Sequence, residues 1–260
     1  MKHRPLTIFL LVFVVFGMLI ALSGVCTVYF RSGPTPAAHE KLNILVAVSL
    51  RPYVEEVADE FERIHNIPVE RHYGASEDLL TRIQFQPDSD PIDIYIPADE
   101  SYITKAQAKD LVVLVQPLAR MKAVVLIAEG NESIHDWPTL LQQPRISLAN
   151  ENAAIGQLTR EHLKKSGEWT KLEPLLVGSS NVSESANAVK IGAAPAAIVW
   201  EPVAKNYPNL RMLELPELSG IEAKIVAARL NDRDKSKLFL FSLKNDALLK
   251  SHHFTPITIR

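Results

Sequence analysis

Cysteine is nearly absent from this chain: of 260 residues only Cys26 is a cysteine, and it lies inside an N-terminal apolar run. The polypeptide beyond it forms no internal disulfide and offers neither a thiolate nucleophile nor a Cys-based zinc site, so burial alone must hold its core. A basic excess is missing too. The chain carries 28 basic and 30 acidic residues, and three of the basic ones, Lys2, Arg4 and Arg31, precede residue 32; the remainder has 25 against 30, a net charge of −5. Such a domain does not suit nucleic acid or an anionic membrane surface, both of which reward basic patches. Any anion it binds must be held by local donors. No Gly-x-Ser-x-Gly elbow, Gly-x-x-x-x-Gly-Lys loop or His-Glu-x-x-His helix occurs, which leaves no case for an enzyme beyond serines without a base. Internal repeats and low-complexity tracts are also lacking.

What is present begins with Leu6 to Phe30, a stretch without charge, preceded by Lys2, His3 and Arg4 and followed by Arg31. About 20 apolar residues suffice to cross a bilayer, and basic residues ahead of the stretch favour a cytoplasmic N-terminus with everything after it outside. Residues 1–30 read as a transmembrane anchor or a signal segment, and the length favours the anchor, since a signal core spans about 7 to 15 residues. A lipoprotein signal ranks last, because Val25 stands before Cys26 where a small residue is wanted. Residues 31–40 form a linker, with Thr35-Pro-Ala-Ala-His39 as the alternative cleavage region.

From Leu42 onward strands and helices alternate. Leu42 to Val48 reads as a buried strand; Pro52 suits a first helical turn, and Val54, Val57, Ala58, Phe61 and Ile64 recur at helical spacing. Pro68 to His72 is a second strand and Glu77 to Gln84 a second helix. Pro91 to Ile96 is a third strand, with Asp99 an N-cap for a helix to Lys109. This series predicts a parallel sheet with helices on both faces. A second series follows: strands at Met121–Ala128, Arg145–Ala149, Ala196–Trp200 and Glu222–Ala228, a helix at Gln157–Ser166, and a helical stretch from Arg233 to Lys250 with Leu238, Phe241, Leu243 and Leu248 as core positions. The expected architecture is α/β with two lobes and a cleft: lobe 1 from residues 41–120 and 216–260, lobe 2 from 121–215.

Two serines stand where apolar runs give way to helices, Ser49 in Ala47-Val-Ser-Leu and Ser76 in Gly74-Ala-Ser-Glu. Helix starts carry unpaired N–H groups and the positive end of the macrodipole, and a serine adds a neutral donor suited to an oxyanion. The plainer interpretation is that both are ordinary N-caps.

With these two segments, Ile92-Asp-Ile-Tyr-Ile-Pro-Ala-Asp-Glu, Gly156-Gln-Leu-Thr-Arg-Glu-His-Leu-Lys-Lys-Ser-Gly-Glu-Trp169, Asn181-Val-Ser and Ala197-Ile-Val-Trp-Glu, the chain resembles the extracytoplasmic molybdate-binding proteins of ABC importers, over about Leu42 to Ala228. The resemblance implies a class II periplasmic-binding-protein fold and a monomeric receptor that delivers molybdate or tungstate to a permease, with no cofactor and no metal beyond that of the ligand. It also implies an oxyanion held by two serine hydroxyls, backbone N–H groups and a tyrosine hydroxyl. These roles fall on Ser49, Ser76, the backbone of Ile155 and of Val182, and Trp200. Two departures stand out: a family Pro-Ala-Gly turn is Ala154-Ile-Gly here, and the tyrosine is Trp200, whose indole N–H donates one hydrogen bond from a larger ring. Arg51, beside the first serine, is either a compensating cation or a solvated helix-start residue.

Other clusters carry less. Adjacent His252 and His253 point opposite ways in an extended segment and lack a third ligand; Asp93 and Asp99 fit a strand end and an N-cap better than a catalytic pair. The rival functions are a same-fold receptor for another solute, with Trp200 stacking on it, and a membrane-tethered sensor or interaction domain with a degenerate site.

Overall fold

The computed structural model describes residues 41–87 and 89–257; the expected anchor (1–30) and linker (31–40) lie outside the described residues. No helix among the described residues is long and apolar enough to cross a membrane.

Strand β1 (Leu42–Ala47) is buried at every position, as expected of a strand covered on both faces. It pairs in parallel with β2 (Val69–Gly74) and β3 (Ile94–Ile96). Between β1 and β2 runs α1 (Arg51–His65), whose Val54, Val57, Ala58 and Phe61 face the core. Pro52 sits in its first turn, and Asn66 ends it in the left-handed region at φ 54. Helix α2 (Ser76–Gln84) follows β2, and α3 (Glu100–Gln107) follows β3 with Asp99 as its N-cap, accepting from Ser101 N–H at 3.0 Å.

Strand β4 (Leu114–Ile127) then runs for 14 residues. Its first part pairs antiparallel with β9 (Glu222–Arg229), which pairs antiparallel with β3; its last five residues, Ala123–Ile127, pair with β7 (Ala196–Trp200). The β4–β9 register slips between Pro117 and Ala119, where proline lacks the N–H a regular ladder needs. A second parallel triplet completes the sheet: β5 (Ile146–Ala149) lies between β6 (Leu176–Ser179) and β7. Helix α4 (Ala154–Ser166) follows β5 and α5 (Val182–Lys190) follows β6. The strand path is β2-β1-β3-β9-β4-β7-β5-β6, with β8 (Arg211–Leu213) and β10 (Thr255–Pro256) both on β4. The first series is parallel as expected. In the second, β4 and β9 pair antiparallel, and the parallel triplet is completed by β6, a strand the sequence did not announce, with the long β4–β9 pair joining the two triplets.

The C-terminal helical stretch differs from expectation. It breaks into α6 (Asp234–Ser242) and α7 (Asp246–Ser251), because the Asn245 side chain caps a new helix by accepting from Leu248 N–H at 3.1 Å. The core face of α6 is Phe239 and Leu240 with Leu243 just beyond, all buried, whereas Leu238 is 44% and Phe241 81% exposed. Leu248 is partly buried against the core.

Candidate functional site

All five residues singled out for the oxyanion come together. Ser49, Ser76, Ile155, Val182 and Trp200 line one small cavity at the carboxyl ends of β1, β2, β5, β6 and β7, the end at which open α/β sheets bind ligands. Space for the centre of a water molecule amounts to ≈ 10 Å³ there, about what one water needs. The rest of the lining is mostly small: Ala47, Ala75, Ala98, Ala153 and Ala154 among others, and no ionisable side chain.

Neither serine is an N-cap. Ser49 lies inside a short 3-10 turn, Val48–Leu50, and α1 takes Leu50 as its N-cap without a side-chain hydrogen bond. Ser49 is 4% exposed and its Oγ has no hydrogen-bond partner. A buried hydroxyl left unpaired costs free energy on the order of 1 to 3 kcal/mol, so its retention beside a cavity points to a ligand. Ser76 is the first residue of α2, with Ala75 as an N-cap that makes no side-chain bond. It is 1% exposed, and its Oγ accepts from Ala98 N–H at 3.1 Å. That bond uses a lone pair and leaves the hydroxyl proton free to donate. Tyr95 O–H donates to the Ser76 carbonyl at 2.7 Å, tying α2 to β3.

Across the cavity, α4 begins at Ala154 after Ala153, an N-cap with no side-chain bond. The first N–H groups of a helix have no intrahelical partner, and here Ile155 sits among them. Gly156 allows this. A Cβ there would lie 2.0 Å from the Asn150 carbonyl oxygen and 2.2 Å from that of Ala149, so only glycine lets the helix start press this closely on the end of β5. Helix α5 begins at Val182; the Asn181 side chain takes Glu184 N–H at 3.1 Å and leaves the Val182 N–H outside the cap. Ser180, through its hydroxyl and N–H, and the Asn181 amide hold the Glu184 carboxylate. These bonds, the Ser180 hydroxyl foremost, keep that carboxyl below its usual value of 4.5. Trp200 ends β7, is 1% exposed and lines the cavity.

The two sides of the cavity touch through Asn152. Its carbonyl accepts from Glu77 N–H at 3.0 Å and from Tyr102 O–H at 3.5 Å, while its amide donates to Asp78 Oδ1 at 2.9 Å. Sequence reasoning missed this bridge and the role of Ala98; neither carries a local signal, since each depends on which loops the fold brings face to face. The other clusters have structural explanations. Asp99 also accepts from Lys224 N–H at 3.2 Å. Asp93, fully buried, accepts from Asn43 N–H, Asn231 and Ser236 and lies 3.5 Å from Lys235. His252 Nε2 pairs with Glu56 at 2.9 Å, and His253 occupies the left-handed region at φ 65. No group of three or more His, Cys, Asp or Glu fit to hold a metal occurs among the described residues.

A family model described as bacterial extracellular solute-binding protein matches residues 42–254. The molybdate-binding protein ModA of Escherichia coli (strain K12) is 24% identical over 192 residues, covering 68% of this chain and 72% of its own. Among solved structures, the periplasmic molybdate-binding protein of Azotobacter vinelandii superposes with a TM-score of 0.69 at 15% identity, covering 85% of this chain and 100% of its own. The sulfate-binding protein SubI from Mycobacterium tuberculosis gives 0.71 at 12% identity, covering 84% and 87%. With a family model that matches residues 42–254, nearly all of those described, the chain belongs to the bacterial extracellular solute-binding proteins.

Proposed function

We propose that this protein is an extracytoplasmic receptor for a small tetrahedral oxyanion, molybdate or tungstate, which it delivers to an ABC permease. The observation that carries the reading is the buried, unpartnered Ser49 hydroxyl in a cavity of neutral donors. The ligand contacts are the hydroxyls of Ser49 and Ser76, the backbone N–H groups of Ile155 and Val182, and the Trp200 indole. Hydrogen bonds to a charged acceptor in a water-poor site are the strong ones, and several together hold a dianion without a countercharge. Trp200 is 1% exposed and so packed on nearly all sides, which disfavours a solute stacked on its ring.

Two lobes, 41–120 with 216–260 and 121–215, close on the anion by a hinge motion, and the closed form is what a permease distinguishes from the empty one. The segment 1–30 tethers the monomeric receptor to the membrane. Retention of the mature protein in the membrane fraction at high salt supports the tether; a soluble form whose first residue lies between Gly33 and His39 refutes it.

The test of ligand is calorimetric titration of the purified protein with molybdate, tungstate and sulfate. Tight binding of molybdate or tungstate over sulfate supports the proposal. Trp200 favours a second reading, a site retuned to another oxyanion, and preference for sulfate selects it. Binding of none leaves the sensor or interaction role.

A further inference from the structure

Ser49 faces more than the small cavity. It also lines an adjoining compartment of ≈ 150 Å³, whose walls include Arg51 at the start of α1, Ser183 of α5, and Asn206 and Tyr207 from the chain after β7. Arg51 is the single charged residue in that lining, and among the described residues its guanidinium makes no ion pair. The guanidinium lies 4.3 Å from the centre of the Tyr73 ring, a contact that orients it without neutralising it. Glu55, one helical turn further on, is engaged instead by Arg71 at 3.4 Å.

The compartment thus combines an un-neutralised cation with neutral donors, next to a buried serine hydroxyl that has no partner. The groove beside the C-terminal end of α1, by contrast, mixes Glu56, Asp59 and Glu60 with Arg63 and His65. For a domain of net charge −5 beyond residue 31, an approaching anion meets a repulsive field, and a lone cation at the mouth of the site offsets it locally. We propose that this compartment is an outer anion site, an entry station where Arg51 captures the oxyanion before it passes Ser49 into the inner cavity. The inference rests on the oxyanion-receptor reading. It assigns Arg51 to the rate of association, while the neutral inner donors set the rate of escape.

Charges at the rim of a site act mainly on association and its salt dependence, whereas groups buried against the ligand act on dissociation. The experiment is stopped-flow mixing of the full chain with sodium molybdate or sodium sulfate, whichever the parent binds by calorimetry, followed by tryptophan fluorescence at low and high sodium chloride. Arg51→Gln is expected to lower the association rate constant about two- to fivefold at low salt and to flatten its salt dependence, with dissociation unchanged. Arg51→Lys, which keeps the charge, restores the parent's rate. An unchanged association rate in Arg51→Gln, in a parent that binds, overturns the entry station alone. An effect confined to dissociation also overturns it and makes Arg51 a contact of the bound anion. A parent that binds no oxyanion overturns this inference together with the receptor reading beneath it.

Discussion

Ser49 and Ser76 lie on the same cavity, yet their hydroxyls differ in their partners within the protein. Ser76 Oγ is the acceptor for Ala98 N–H, whereas Ser49 Oγ has no partner. Both Ser49→Ala and Ser76→Ala are expected to weaken oxyanion binding by about 1.5 to 3 kcal/mol, the range for hydrogen bonds to charged groups. That corresponds to a loss in affinity of about tenfold to somewhat over a hundredfold. Their stabilities should part: Ser76→Ala strands a buried N–H and costs about 1 to 3 kcal/mol, while Ser49→Ala is neutral or slightly stabilising. Calorimetry with thermal unfolding of each variant checks both halves, and parent-like affinity in both would reduce the serines to packing. Trp200 poses a sharper question. Trp200→Phe removes the indole donor and is expected to cost about 1.5 to 3 kcal/mol of binding, while Trp200→Tyr restores a donor and retains or improves molybdate affinity. If Trp200→Phe titrates like the parent, the ring is a wall of the cavity and donates nothing.

At the scale of elements, the site depends on how closely two helix starts approach the strand ends. Gly156 sets one approach, because the carbonyl oxygens of Ala149 and Asn150 occupy the space a side chain would need. Gly156→Ala is expected to push the α4 start away from β5, lowering the melting temperature and weakening binding together, even though alanine has the better helix propensity by about 1 kcal/mol. A stabilised Gly156→Ala variant with parent affinity would contradict the tight approach. The α/β alternation and the first βαβ units were legible in the sequence, since buried uncharged runs and helical spacing are local signals. The break at Leu243–Asn245 was not. Leu238 and Phe241 match a helical pattern as well as Phe239 and Leu240 do, and only the packing of α6 on the sheet decides which face is covered.

For the whole molecule, the cavity's lining contains no ionisable side chain. Binding is therefore expected to stay flat from about pH 8 down to pH 5, apart from the ligand's own protonation; a steep change in that window would implicate a titrating contact. Below it a different effect enters. Glu184 has its carboxyl held below 4.5 in the folded state by Ser180. A depressed carboxylate supplies stability above its unfolded value, and that contribution is lost as pH falls through the lower folded value. The exposed position of Glu184 keeps the effect small. Melting curves from pH 6 to pH 3 are expected to show it as a loss that Glu184→Gln reduces.

The sequence by itself determined the αβ alternation, the acidic balance, the lack of any cysteine pair and the prominence of Ser49 and Ser76, while Ile155, Val182 and Trp200 followed only from the resemblance to molybdate-binding proteins. Serines after buried strands are a local pattern read along the chain; the other three positions carry no such signal of their own. Only the tertiary structure decided that neither serine caps a helix, that Ser49 is left unpaired while Ser76 is held by Ala98, and that Asn152 bridges the two sides. The physical reason is that a hydrogen-bond account closes only when every partner is known. The partners in this site come from loops 20 to 75 residues apart in the chain, whose meeting is set by the sheet order and by no local preference.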